Sequence, residues 1–412
     1  PITDKDKTPL ELSTEKLGVG FHHGEAGYLG EKSAQNDTVA ALRDGVKQKF
    51  STAFLNVQSY DEHTWKFGEW TVYGHLENSP DNRGPGVFTN SPSKAKLKPR
   101  ADDIVEEFQG AFGDQGIGKL GLTVDFWRMR GDWYVRWDGN LSGSRVGEGD
   151  YGFYRDEMVG DLVGEIKSTA AAHDFQYIVL GTDMGRLLGR EGKPGLAPDE
   201  FSNFRRFYSK ATAEIDKVSQ ETVVGAGFDW DNFVRNVAPQ YGPEKRGEIP
   251  SDETLAAAFE SVILPFADLG GMIALKSYRK AEGNAEYYQF LATVDERYDI
   301  EETPIVWYSI GSPVESQSGY RDQKRYLEKF IEWNKGVEPE IVAWRSLLNV
   351  DGADRANQQL AGRCKQLVEP EVADEEDKKF DMDPSHCFDG LLTTNPSKKE
   401  AYKFIESQAD GG

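Results

Sequence analysis

The stretch Pro304-Ile305-Val306-Trp307-Tyr308-Ser309-Ile310-Gly311-Ser312-Pro313 decides the fold. An unbroken apolar run ends in a polar residue, and Gly-Ser-Pro turn chemistry follows. A short apolar run bounded by turn residues reads as a strand buried on both faces, as in a parallel sheet. Phe175-Gln176-Tyr177-Ile178-Val179-Leu180, followed by Gly181-Thr182-Asp183-Met184, has the same form. In both, a polar side chain is delivered where a strand gives way to a loop.

Outward from these two segments the same rhythm continues. Strands are expected at residues 16–21, 52–57, 120–127, 175–180, 222–228, 268–275, 304–308 and 340–344. Helical spacing of apolar residues falls at 37–50, 100–112, 154–173, 202–218, 252–263, 285–298 and 321–335. Ser251-Asp252 opens one of these helices with a cap signal. Strands alternating with helices argue for an α/β protein with a parallel sheet, and eight units argue for closure into a single (β/α)8 TIM barrel. An open doubly wound sheet is the second choice. The expected layout is an N-terminal extension over residues 1–15, the barrel over 16–350, and a C-terminal segment over 351–412 packed on it. Two long Gly- and Trp-rich stretches, Tyr60 to Pro99 and Arg130 to Trp137, read as loops on the C-terminal face.

Bulk properties narrow the partners. The 412 residues carry a formal net charge of −22, which disfavours non-specific binding to nucleic acid or anionic lipid. No apolar run is long enough to span a bilayer. Aromatics make up 12% of the chain, including nine Trp, which is ample for a packed core. The chain begins at Pro1, as chains do after a leader or other N-terminal piece has been removed. Cys364 and Cys387 are the two cysteines. A bond between them would stabilise by about 3 kcal/mol in the chain-entropy account and would fit an exported, extracellular protein. Two unpaired thiols in a reducing compartment are the alternative. Asn36-Asp37-Thr38 and Asn140-Leu141-Ser142 fit the glycosylation pattern.

Cofactor motifs are absent or out of context. Gly116-Ile117-Gly118-Lys119-Leu120-Gly121 has dinucleotide spacing, but it follows a helix and leads into a strand, the reverse of the required order. No phosphate-loop lysine, zinc motif or nucleophile elbow occurs, so no cofactor or metal is expected. The acidic stretch Glu369 to Asp377 lacks calcium-loop spacing and reads as a solvated loop.

From strand four to strand eight the chain resembles the superfamily of retaining (β/α)8 glycoside hydrolases. Gly181-Thr182-Asp183 stands where that superfamily has Gly-Asn-Glu. Ser277-Tyr278 matches a Ser-Tyr pair after strand six. Val306-Trp307-Tyr308-Ser309-Ile310-Gly311 matches an apolar run, then Glu, then Ile/Leu-Gly. Trp344 matches a sugar-stacking Trp at strand eight, and the Phe388-Asp389-Gly390-Leu391-Leu392 segment with a final helix resembles how such domains end. The likeness covers residues 16–406. It implies a carbohydrate polymer as ligand, Asp183 in the acid/base position and Ser309 in the nucleophile position. Placement at predicted strand ends and in the loops after them gives a binding cleft lined by His22, His23, Trp65, Asp125, Trp127, Thr182, Trp230, Tyr278, Trp307 and Trp344, with further indoles at Trp70, Trp133 and Trp137.

The departures carry chemistry. A retaining enzyme needs two carboxyls about 5–5.5 Å apart. Asp183 is one methylene shorter than Glu, and misplacement by about 1 Å can cost on the order of 10²-fold. Ser309 cannot form the usual glycosyl ester, and a neutral hydroxyl gives a cationic transition state little stabilisation. Three explanations stand open. The chain is a glycan-binding pseudoenzyme or cell-surface structural protein; or it uses other carboxylates, such as Asp61, Glu62, Asp125, Asp229, Asp231 or Glu315; or Ser309 is an engineered replacement.

Overall fold

The computed structural model describes residues 10–22, 25–58, 97–113, 116–125, 156–190, 193–194, 198–245, 247–279, 286–300, 302–312, 320–349, 390–393 and 396–409. Eight strands form a closed barrel: β1 (Leu17–His22), β2 (Thr52–Gln58), β3 (Lys119–Asp125), β4 (Tyr177–Leu180), β5 (Val223–Asp229), β6 (Ile273–Tyr278), β7 (Ile305–Gly311) and β8 (Ile341–Trp344). Every neighbouring pair is parallel, and β1 pairs with both β2 and β8. The helices around it include α1 (Glu25–Gln35), α2 (Asp37–Lys49), α3 (Leu97–Phe112), α4 (Asp156–Ala172), α5 (Pro198–Asp216), α6 (Asp252–Val262), α7 (Leu264–Gly270), α8 (Tyr320–Trp333) and α9 (Glu400–Ala409). The (β/α)8 expectation is met, and the open sheet is excluded.

Strand period two sorts the apolar residues into two cores. Phe54, Tyr177, Val179, Ala274, Val306, Tyr308 and Ala343 fill the lumen. Val19, Phe21, Leu55, Leu122, Ile178, Leu180, Phe228, Leu275, Trp307, Val342 and Trp344 face the helix layer. Glycine makes room for the lumen rings. A Cβ at Gly121 would lie 2.5 Å from the Phe54 ring, and one at Gly227 would lie 2.7 Å from the Tyr308 hydroxyl. At the N-terminal rim Lys119 and Tyr177 both bond to Glu340, a tie of the kind that serves stability rather than chemistry.

Three elements differ from expectation. Helix α1 was unforeseen, because two glycines weaken its propensity; buried Tyr28 and Leu29 hold it against the barrel. Strand β6 begins at Ile273, since Asp268 to Gly270 complete α7 and Gly271 ends that helix at φ 87°. Strand β7 runs on to Gly311 instead of stopping at Tyr308. The Gly116–Gly121 glycines lead into β3, as their order required. Asn36, read as a glycosylation acceptor, caps α2 by accepting from the N–H of Thr38 and Val39. His23, Asp61, Glu62, Trp65, Trp70, Trp127, Trp133, Trp137, Asn140, Glu315, the acidic stretch and both cysteines lie outside the described residues.

Candidate active site

Polar residues stand in register at the C-terminal mouth of the barrel. His22 of β1 pairs in register with Asn56 of β2, and Gln58 of β2 with Asp125 of β3. Asp229 of β5 pairs with Lys276 of β6. Lys276 pairs with Ser309, and Tyr278 with Gly311.

Ser309 reaches this face by a bulge. On the β6 side Leu275 pairs with Trp307, and the next residue, Lys276, pairs with Ser309. On the β8 side Val342 pairs with Trp307, and Trp344 with Ile310. Both registers therefore shift by one at Tyr308–Ser309, which identifies an extra residue in β7. The shift lets Tyr308 fill the lumen while Ser309 still faces Lys276 at the mouth. Ser309 is also the one partly exposed residue of β7.

Asp183 follows β4 in the left-handed region, at φ 52° and ψ 50°. An aspartate tolerates that conformation better than most residues. Its carboxylate is buried and bonds to Arg186 through Oδ2. Asn232 donates to its Oδ1 at 3.2 Å and to the Gly189 carbonyl at 3.1 Å. Burial pushes the Asp183 carboxyl up to about 6; Arg186 and Lys276 oppose the rise, and Asp229 adds to it. The residue is thus a brace between the loops after β4 and β5 as much as an acid.

A second, largely enclosed acid, Asp231, stands behind the mouth. Arg279 Nη1 donates to it at 2.7 Å, Ser277 Oγ at 2.9 Å and Tyr287 OH at 3.0 Å. Burial raises its carboxyl to about 6 as well, against the pull of Arg279. Ser277 therefore faces the helix layer, where Tyr326 also donates to it at 3.0 Å. Tyr278 points to the mouth side of the strand, with the Arg345 guanidinium 4.6 Å from its ring centre.

Three of the expected stacking tryptophans are core residues, a correction to the cleft. Trp230 stacks on Phe233 at 5.3 Å and is 0% exposed. Trp307 stacks on Tyr288 at 5.8 Å and meets Phe330 edge-on at 5.1 Å. Trp344 meets Tyr326 edge-on at 6.2 Å. Trp307 and Trp344 occupy outward strand positions, and an outward side chain on a (β/α)8 strand must bury against helices. Thr182 is partly exposed beside Asp183. The backbone N–H of His22 donates to Glu25 Oε2 at 2.8 Å, and the Ser346 hydroxyl donates to the same buried carboxylate, joining the ends of β1 and β8. Lys276, Arg186, Asn232 and Glu25 were missed in the sequence. Lys276 had a signal, being the lone charge inside the apolar run Ile273-Ala274-Leu275-Lys276.

The described residues include no group of three or more His, Cys, Asp or Glu side chains placed to hold a metal ion. No helix among them is long and apolar enough to cross a membrane.

Neither a protein-family model nor a curated protein sequence matches the chain. Solved structures match by fold. An exo-β-1,4-mannosidase from Opitutaceae bacterium strain TAV5 superposes with a TM-score of 0.52 at 10% identity, over 100% of this chain and 62% of that one. The chain thus spans less than two thirds of that enzyme. A GH5_18 protein of Streptomyces cattleya, in complex with Manβ1-4GlcNAc, gives 0.52 at 13% identity, over 95% and 80% of the two chains. An endo-β-1,6-glucanase gives 0.51 at 12% identity, over 98% and 77%. At these identities the likeness is one of fold: the chain has the closed eight-stranded barrel that these glycoside hydrolases share.

Proposed function

We propose that this chain binds a carbohydrate polymer at the C-terminal mouth of a glycoside-hydrolase-type barrel whose catalytic pair is altered, so that ordinary retaining hydrolysis is lost. One observation carries the reading: the bulge in β7 puts Ser309, a neutral hydroxyl, in register with Lys276 at the strand end, and the resemblance to retaining barrels makes that strand end the expected nucleophile position. Across the mouth, the strand-four acid is short and held under Arg186 and Asn232. Ser309 cannot make a glycosyl ester, Asp183 is short for the acid/base role, and with the pair incomplete the site binds rather than cuts. The solved barrels of like fold, which act on mannosides and glucans by their names, support the ligand class. An extracellular location goes with a polysaccharide ligand.

The test is reducing-end release across a polysaccharide panel by the given chain and by Ser309→Glu. Cutting by the Glu variant alone is expected. Cutting by the given chain would move catalysis to other carboxylates and sink the altered-pair reading.

A second reading has its own observation. A carboxyl raised to about 6 suits a general acid, and Asp229 lies close enough to Asp183 to help raise it. Such a pair would serve inversion, with Asp183 as acid and Asp229 as base. In that case the given chain cuts with inverted product stereochemistry, and Asp229→Asn abolishes cutting.

A further inference from the structure

Lys276 is the residue of the mouth for which a retaining scheme has no use. It stands on β6 in register with Ser309 of β7. Its side chain is only 14% exposed, and its one ion-pair partner among the described residues is Asp229 Oδ2, at 3.7 Å. That separation exceeds hydrogen-bond length. Asp229 is itself held back, because its Oδ1 accepts from the Asn232 N–H at 3.0 Å and caps the turn after β5. A nearly dry ammonium has three donors to satisfy, and one distant carboxylate does not satisfy them. Lys276 therefore keeps donor capacity for a further oxygen at the strand ends.

Charge is also split across that mouth. Asp183 and Asp229 stand on the β4–β5 side. Lys276 and Arg345 stand on the β6–β8 side. The Arg345 N–H donates to Ile310 O at 2.9 Å, and its Cβ lies 3.7 Å from where a Cβ on Gly311 would be. Ser309 lies between the two cations in strand order. A carboxylate at position 309 would neutralise Lys276. The hydroxyl instead leaves a hydrogen-bond donor beside an ammonium whose ion-pair partner, Asp229, is 3.7 Å away.

The geometry points to an oxyanion seat at Lys276 and Ser309, flanked by Arg345, whose occupant is a carboxylate or sulfate carried on a sugar ring. The inference rests on the carbohydrate reading above and names the class of glycan. Lys276 supplies charge, and Ser309 supplies one directed hydrogen bond. The chain's net charge of −22 repels a long polyanion in bulk. Screening over about 8 Å at physiological ionic strength confines that repulsion, so the seat reads one group of a short oligosaccharide at close range.

The experiment is equilibrium titration of the full chain with a uronic-acid oligosaccharide, its neutral methyl ester, and a sulfated oligosaccharide of equal length. At least one acidic form is expected to bind tenfold or more tightly than the ester, and the stronger of the two identifies the anionic group. Lys276→Met should erase the preference, while Lys276→Arg should keep it. Ser309→Glu should also erase it, because its carboxylate takes the seat. If Lys276→Met fails to fold, the Ser309→Glu result decides. Equal binding of acid and ester by the parent chain overturns the seat and leaves a neutral glycan as ligand; so does a preference that survives Lys276→Met or Ser309→Glu. Lys276-dependent thermal stabilisation by acetate or sulfate, with no sugar bound, would keep the seat and sink the carbohydrate reading. Absence of binding by every probe overturns both.

Discussion

Trp307 and Ser309 are two residues apart, and the bulge between them sends one to the helix layer and the other to the mouth. Trp307 is 0% exposed, stacked on Tyr288 and edge-on to Phe330. Its truncation to Ala should cost about 3–5 kcal/mol by loss of buried area and the cavity left behind. Trp344→Ala should behave alike, since that ring is 1% exposed. Denaturant unfolding checks both: a midpoint left unshifted by Trp344→Ala would return that ring to the ligand. Composition and spacing revealed that Trp was abundant near strand ends, but which face each indole occupies depends on strand parity. In β7 one inserted residue resets that parity. Asp183 was readable as the residue after β4; its burial under Arg186 was not, because that contact depends on the left-handed turn at Asp183 itself.

At the level of elements, the strands were legible because each is a run buried on both faces. Ends were harder. The run from Asp268 leads without a break into apolar Met272 to Leu275 and so reads as one strand, whereas Asp268 to Gly270 complete α7 and the left-handed Gly271 separates that helix from β6. Caps were legible where a side chain makes a specific bond. Ser251 accepts from the Thr254 N–H at 3.3 Å and opens α6. Ser251→Ala should lower stability by about 1 kcal/mol, whereas Ser251→Asp should nearly preserve it. Thermal unfolding of the two variants side by side measures this, and equal loss in both would deny the cap its role. The β7 bulge had no such signal: Tyr308 and Ser309 are ordinary residues, and nothing in their types announces an extra position. The candidate site was therefore legible as an address, the ends of strands four and seven, and not as a charge pattern.

For the whole molecule, the barrel was the most legible feature and its pH response the least. Asp183 and Asp231 each carry a carboxyl raised from 3.8 to about 6, chiefly by burial. A raised acid favours the protonated form in the folded state, so the folded chain binds more protons than the unfolded one between pH 4 and 6. The stability these two groups contribute is present below about pH 4 and is lost as pH rises through 6. The check is the difference in unfolding free energy between parent and Asp231→Asn at pH 4 and at pH 7. The parent should lose ground to the variant as pH rises, and a constant difference would remove Asp231 from the account.

Closure of the barrel also imposes a schedule on its own biosynthesis. Glu25 holds the His22 N–H and, across 321 residues of chain, the Ser346 hydroxyl, and β1 finds its second neighbour only in β8. At about 5–20 residues per second of synthesis, the first strand waits on the order of a quarter of a minute to a minute for that neighbour to leave the ribosome. Throughout that interval one sheet edge stands open and the Glu25 carboxylate lacks the partner it buries against. The growing chain is thus most in need of a holding chaperone after its first half is made, and its final strand acts as the lock on everything translated before it.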